Sequence, residues 1–150
     1  MKKVLKYGII ILLIVLLLLA IWFIFKPEKQ ELEQYLENVV MTIKDGTLTN
    51  KGATIIITDP SGDIHTYGDF FRIDEFKDNE WVPLKPIIDD YGFNDIGYHV
   101  DENNKLEMNI DWEWLYGELK SGKYRLVKDV AINVEDQYLG SEYIYVEFSI

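Results

Sequence analysis

After an unbroken apolar run from Gly8 to Phe25, hydrophobic positions recur first at helical and then at alternating spacing, and the change falls near Val39. Leu32, Tyr35, Leu36 and Val39 share one face of a helix. Pro27 suits a first helical turn, and Glu28, Glu31 and Glu33 follow where the positive end of a helix favours acids. These residues predict a short stalk over 27–36, either helical or a solvated tether. Beyond it the period is two, which places successive side chains on opposite faces of a strand. Leu106, Met108, Ile110 and Trp112 point one way while Glu107, Asn109 and Asp111 point the other. Ile144, Val146, Phe148 and Ile150 repeat the pattern against Tyr143, Tyr145, Glu147 and Ser149. The β-branched run 53–58 predicts another strand, closed by the turn Asp59-Pro60-Ser61-Gly62-Asp63, in which Pro60 presets φ. A hairpin into 64–76 is expected next, with Gly68 breaking the alternation as a bulge would. Segments 39–44, 81–85 and 123–134 bring the set to about seven strands.

Strands without intervening helices must cover one sheet's apolar face with another's, so the pattern predicts an all-β sandwich rather than an open sheet; a closed barrel is the alternative. The segment Ser121-Gly122-Lys123-Tyr124-Arg125-Leu126 favours the sandwich. A turn glycine leads into a strand whose early Tyr124 precedes an apolar residue by two positions, the spacing of a tyrosine corner that pins a Greek-key crossing. Leu126 falls where antibody domains carry their second cysteine, and the chain has none. Packing alone must hold such a core.

Gly46-Thr47-Leu48-Thr49, Gly52-Ala53-Thr54, Tyr67-Gly68, Trp81 with Leu84, the run Trp112-Glu113-Trp114-Leu115-Tyr116-Gly117 and Gly122-Lys123-Tyr124-Arg125 together resemble a bacterial immunoglobulin-like domain family over about residues 37–150. The resemblance implies an immunoglobulin-like Greek-key β-sandwich on a membrane-anchored or secreted protein, mainly of Gram-positive bacteria. It carries over no catalytic or binding residue, because the shared motifs are of a structural kind.

The apolar run sets the expected compartment. Eighteen residues at about 1.5 Å each span roughly 28 Å, near the hydrocarbon thickness of a bilayer. Lys2, Lys3 and Lys6 precede it, and Trp22, Phe23 and Phe25 sit where an interfacial aromatic belt belongs. A cleaved signal peptide is the competing reading, but Ala20 stands alone between Leu19 and Ile21 and supplies no small-residue cleavage site. The expectation is a cytoplasmic N-terminus with a single-pass transmembrane anchor over 1–26, the stalk over 27–36 and an extracytoplasmic sandwich over 37–150.

Eleven of the fifteen bases and all twenty-six acids lie after Lys26, leaving residues 27–150 with a net charge of −15. A segment so acidic has no means of gripping nucleic-acid phosphates, and nucleic-acid partners are excluded. Its partner is expected to be neutral or basic. The absence of cysteine excludes disulfides, thiol catalysis and Cys-ligated zinc. No Gly-x-Ser-x-Gly elbow accompanies the two histidines, His65 and His99, which read as surface strand residues rather than a catalytic base or zinc ligands. No catalytic residue and no cofactor are assigned. Two loops rich in oxygen, Asp89, Asp90, Asn94 and Asp95 and then Asp101, Glu102, Asn103 and Asn104, suit either weak calcium binding or solvated turns. Trp112 continues a buried face, whereas Trp81, Trp114, Tyr91 and Tyr98 are candidate contacts for a glycan or a protein. The sequence therefore points to a membrane-anchored, non-catalytic protein-interaction or structural module at the cell envelope; the alternative is a cell-wall glycan-binding module using exposed aromatics, and the lesser ones are a weak calcium-binding domain and a small hydrolase.

Overall fold

The computed structural model describes residues 14–17, 32–62 and 64–150. The chain divides into two units, Met1–Glu31 and Leu32–Ile150. Of the first, residues 14–17 are helical, with apolar side chains exposed. The rest of the expected anchor lies outside the described residues, among which no helix is long and apolar enough to cross a membrane.

The second unit opens with a 3-10 turn, Gln34–Leu36, and continues as eight strands: β1 (Val40–Ile43), β2 (Gly52–Thr58), β3 (His65–Tyr67), β4 (Arg72–Lys77), β5 (Glu80–Pro83), β6 (Lys105–Asp111), β7 (Lys123–Val134) and β8 (Gln137–Ser149). A single helical turn, α1 (Glu113–Tyr116), separates β6 from β7. Two antiparallel sheets form. The first has the order β1-β2-β6. In the second, β7 pairs with β8 along its whole length and with β3 and β4 along successive stretches, and β5 pairs with β4. Alternation does what the sequence pattern demanded. Ala53, Ile55, Ile57, Met108 and Ile110 turn inward from the first sheet and meet Ile73, Leu126, Val130, Ile144 and Phe148 from the second. Trp112 closes one end of this core, fully buried and stacked on Phe148 at 5.3 Å, with its indole N–H given to the Asn50 carbonyl at 3.0 Å.

Two expectations need correction. The turn after β2 is no hairpin, because β2 already has β1 and β6 on its two edges and the chain must cross to the other sheet to find a free one. The segment 64–76 is two strands, and the break at Gly68 is larger than a single-residue bulge: Tyr67 pairs with Val130 and Arg72 with Val127, so five steps on one side face three on the other. The tight connections lie elsewhere. Asp78 and Asn79 between β4 and β5, and Glu135 and Asp136 between β7 and β8, all have positive φ, the signature of a type I′ hairpin whose twist matches that of the strands. Further along β8 a bulge at Leu139 and Gly140 shifts the register. Gly140 has φ of 150°, and a Cβ there would come within 2.8 Å of Leu32.

Tyr124 is buried and donates its hydroxyl to the Lys120 carbonyl four residues upstream at 3.0 Å, which is tyrosine-corner geometry. Gly122 is small for a reason: a Cβ there would sit 3.2 Å from the Tyr124 ring and hydroxyl. Tyr124→Phe is expected to lower stability by about 1–3 kcal/mol by leaving the Lys120 carbonyl without the donor that pins the corner. Denaturant unfolding checks it, and a change within error would deny the corner any structural role.

Candidate functional site

Three polar constellations stand out, and the first is buried. Asp59, at the end of β2, is fully buried and accepts hydrogen bonds from the Tyr67 hydroxyl at 2.7 Å and the Ser61 amide at 3.0 Å. Its carboxylate also meets His65 Nδ1 at 2.7 Å and takes the Ser61 hydroxyl. Burial by itself would lift the Asp59 pKa, but the hydrogen bonds from Ser61, Tyr67 and His65 outweigh it and hold the carboxyl below its ordinary range. His65 is thus no surface residue, as its place after a turn suggested. The Asp59-Pro60-Ser61 turn folds a carboxylate beneath β3, and that partner makes burial of the ring affordable. His99 is exposed and meets the His65 carbonyl through Nδ1 at 3.1 Å. Serine, histidine and aspartate are together here, yet the geometry is not a hydrolase relay. A relay needs the carboxylate on one ring nitrogen and the serine on the other. Here both crowd Nδ1, and Nε2 is buried with no partner among the described residues. The arrangement locks the crossing between sheets.

The second constellation fills the gap left by the interruption between β3 and β4. Lys128 projects inward from β7 in the row that holds Leu126 and Val130, and it is fully buried. Its ammonium donates to the carbonyls of Gly68 and, at 2.7 Å, Phe70, which lie on the looped-out segment between the strands. Burial pushes its pKa down to about 8, against the opposing pull of Asp129 and Asp69.

The third covers the outer face of the second sheet. Strand parity directs Arg72, Asp74 and Phe76 of β4, Lys123 and Arg125 of β7, and Tyr143 and Tyr145 of β8 away from the core, beside Trp81 of β5. Asp74 is fully buried beneath two guanidinium groups. Arg72 reaches it through Nε at 2.7 Å, and Arg125 through Nε at 2.8 Å and Nη2 at 2.7 Å. So anchored, Arg125 lies 4.9 Å from the Trp81 ring centre and 5.3 Å from that of Tyr145, while Arg72 lies 5.6 Å from Tyr143. Lys123 sits 5.1 Å from the Phe76 ring and 5.2 Å from the Trp81 ring. The result is a fixed ladder of alternating cations and rings.

Trp81 belongs to this ladder, and the other candidate contacts lie elsewhere. Trp114, 40% exposed, projects from α1 and packs with Phe71, Tyr91 and Phe93. Beside it opens a cleft of about 330 Å³ lined also by Asp69, Asn94, Asn109 and Asp111. Tyr91 is exposed at this aromatic cluster, and Tyr98 meets Asp69 of the cleft, whose carboxylate raises the pKa of the phenol. Tyr98 also exchanges backbone hydrogen bonds with Tyr67.

Of the two loops considered for calcium, the one at Asp101 closes as a turn and the one at Asp89–Asp95 is irregular. Asp101 Oδ1 accepts the amides of Asn103 and Lys105, both at 2.9 Å, and Asn94 bonds to Asp69. Among the described residues no three His, Asp or Glu side chains converge on a point where a metal ion would sit.

A family model described as a bacterial Ig-like domain matches residues 35–144. The chain belongs to this family. No curated protein and no solved structure matches it. The Ig-like assignment agrees with the two antiparallel sheets and with the corner at Tyr124. Sequence reading singled out Trp81 but missed its neighbours. The signal was present in the outward positions of β4, β7 and β8, where arginine and aromatic residues stand in place of the short polar residues that a solvated face needs.

Proposed function

We propose that this Ig-like domain is a non-catalytic interaction module of the cell envelope, held at the membrane by the apolar segment within residues 1–26 and spaced from it by residues 27–36. Its contact surface is the outer face of the second sheet. One observation carries the reading: Phe76, Tyr143 and Tyr145 are exposed there beside Trp81 and beside Arg72 and Arg125, whose guanidinium groups are held in place by the buried Asp74 carboxylate. Aromatic residues and arginine are the types enriched in protein interfaces and at their energetic centres, since they bring large contact area with little conformational freedom to lose. A solvated sheet face has no use for such a layer. Arg72, Arg125 and Lys123 balance Asp74, Asp129 and Glu147 on this face, so recognition rests on ring contacts more than on the domain's net charge.

Capture from an envelope extract on the immobilised full chain tests the reading. A protein partner retained by wild type should be reduced at least about ten-fold by Trp81→Ala with Tyr145→Ala, which corresponds to roughly 1.4 kcal/mol, while the unfolding transition stays cooperative. Retention unchanged in the folded double variant would defeat it. Protease added to spheroplasts tests the compartment: digestion of the domain is expected, and protection would reverse the orientation.

A further inference from the structure

We propose that the cleft between β6 and the loop carrying Phe93 and Asn94 is a binding site for a neutral saccharide, separate from the outer-face ladder and independent of the reading given to it. The platform is Trp114. Leu115, buried beside it, fixes α1 to the core and leaves Trp114 pointing outward, 40% exposed. Phe71, Tyr91 and Phe93 meet its ring at steep interplanar angles of 88°, 67° and 69°, and none of the three stacks parallel on it. The indole is therefore rigid without being covered by a stacked ring. A pyranose presents a face of C–H groups to such a ring and directs its hydroxyls sideways.

The cleft walls supply partners for those hydroxyls. Asp69 holds the Asn94 amide at 2.8 Å through Oδ2, and Asp111 accepts the Glu113 amide at 2.9 Å through Oδ1. Each bond fixes the plane of its carboxylate, and Asp111 keeps Oδ2 as an acceptor. Asn109 stands exposed on β6 between them and offers both a donor and an acceptor. A sugar hydroxyl donates and accepts at once, so it needs both kinds of group. Among the described residues no lysine, arginine or histidine lines the cleft while Asp69 and Asp111 do, which argues against a phosphate, sulfate or carboxylate ligand. A cationic side chain would use the ring and the acids but has no use for the amide donors. At about 330 Å³ the space lies at the lower end of small-molecule sites.

The experiment is calorimetric titration of the full chain, in a zwitterionic detergent without a sugar headgroup, with cellotriose, maltotriose and the trimer of N-acetylglucosamine, and with trilysine as the cationic competitor. Saturable heat is expected with at least one trisaccharide. It should be insensitive to added salt, absent in Trp114→Ala and weakened at least about five-fold in Asn109→Ala, a change of roughly 1 kcal/mol. Asn109 is exposed, so its variant keeps the test alive should the Trp114 variant unfold. Heat with trilysine alone, no heat with any probe, or sugar binding that survives both substitutions would overturn the proposal.

Discussion

Asp59→Ala should lower the unfolding free energy by about 3–5 kcal/mol, because it leaves the Tyr67 hydroxyl and His65 Nδ1 buried without a partner. Both groups lie within 2.7 Å of the carboxylate, and neither is placed to reach water: Tyr67 is fully buried and His65 nearly so. Asp59→Asn keeps the shape and one acceptor, so its loss should be smaller, though an amide N–H then confronts donors. The pH dependence gives the interaction a sign. The folded pKa of Asp59 lies below its ordinary value of 3.8, so the folded state holds the ionised form more tightly than the unfolded chain does. Its contribution is present above that value and is lost as the pH falls through the lower folded one. Wild type and Asp59→Asn should therefore draw together in strongly acid solution, as followed by urea unfolding. A gap that is constant with pH would mean that folding does not favour the ionised form of this carboxyl.

Lys128 titrates in the opposite range. Its pKa falls from 10.5 to about 8 on folding, so between those values the unfolded chain binds a proton that the folded one has given up. Stability must then rise with pH across that window, by on the order of 3 kcal/mol for a shift of this size. Tyrosines ionise near its upper end and act against folding, so the comparison is made with Lys128→Met. The difference in unfolding free energy between wild type and variant should move in favour of wild type as the pH climbs from about 8 towards 10. A flat difference would show that the ammonium is solvated.

These two residues also mark where sequence reading stopped. Alternation placed Leu106 to Trp112 and Ile144 to Ile150 on their correct faces, because one buried face and one solvated face impose a period of two whatever the neighbours. Tyr124 was legible for a related reason, since its corner is a local bond across four residues. Lys128 was not. It sits on the inward row of β7 between Leu126 and Val130, and only the interruption at Gly68, whose freed carbonyls need a donor, makes a buried lysine tolerable there. The same holds for His65, whose partner arrives from a turn that looked like a hairpin and is a crossing between sheets. Trp81, Trp114, Tyr91 and Tyr98 were one set in the sequence, but the fold brings only Trp114 and Tyr91 together in one ring cluster and sends Trp81 to the outer face of the second sheet, because strand order decides which faces meet. The first half of β8, from Gln137 to Tyr143, carries weak alternation and became visible only through its pairing with β7.

The central claim is that this domain works through the outer face of its second sheet, and site-specific photo-crosslinking in intact cells tests it most directly. A photoreactive side chain at position 145 lies on that face, and one at position 107 lies on the outer side of the first sheet, where Glu107 is exposed. A discrete adduct of higher mass is expected from position 145 and none from position 107, with the adduct lost on Trp81→Ala. A discrete adduct from position 107 alone, or no adduct from either position, would contradict it.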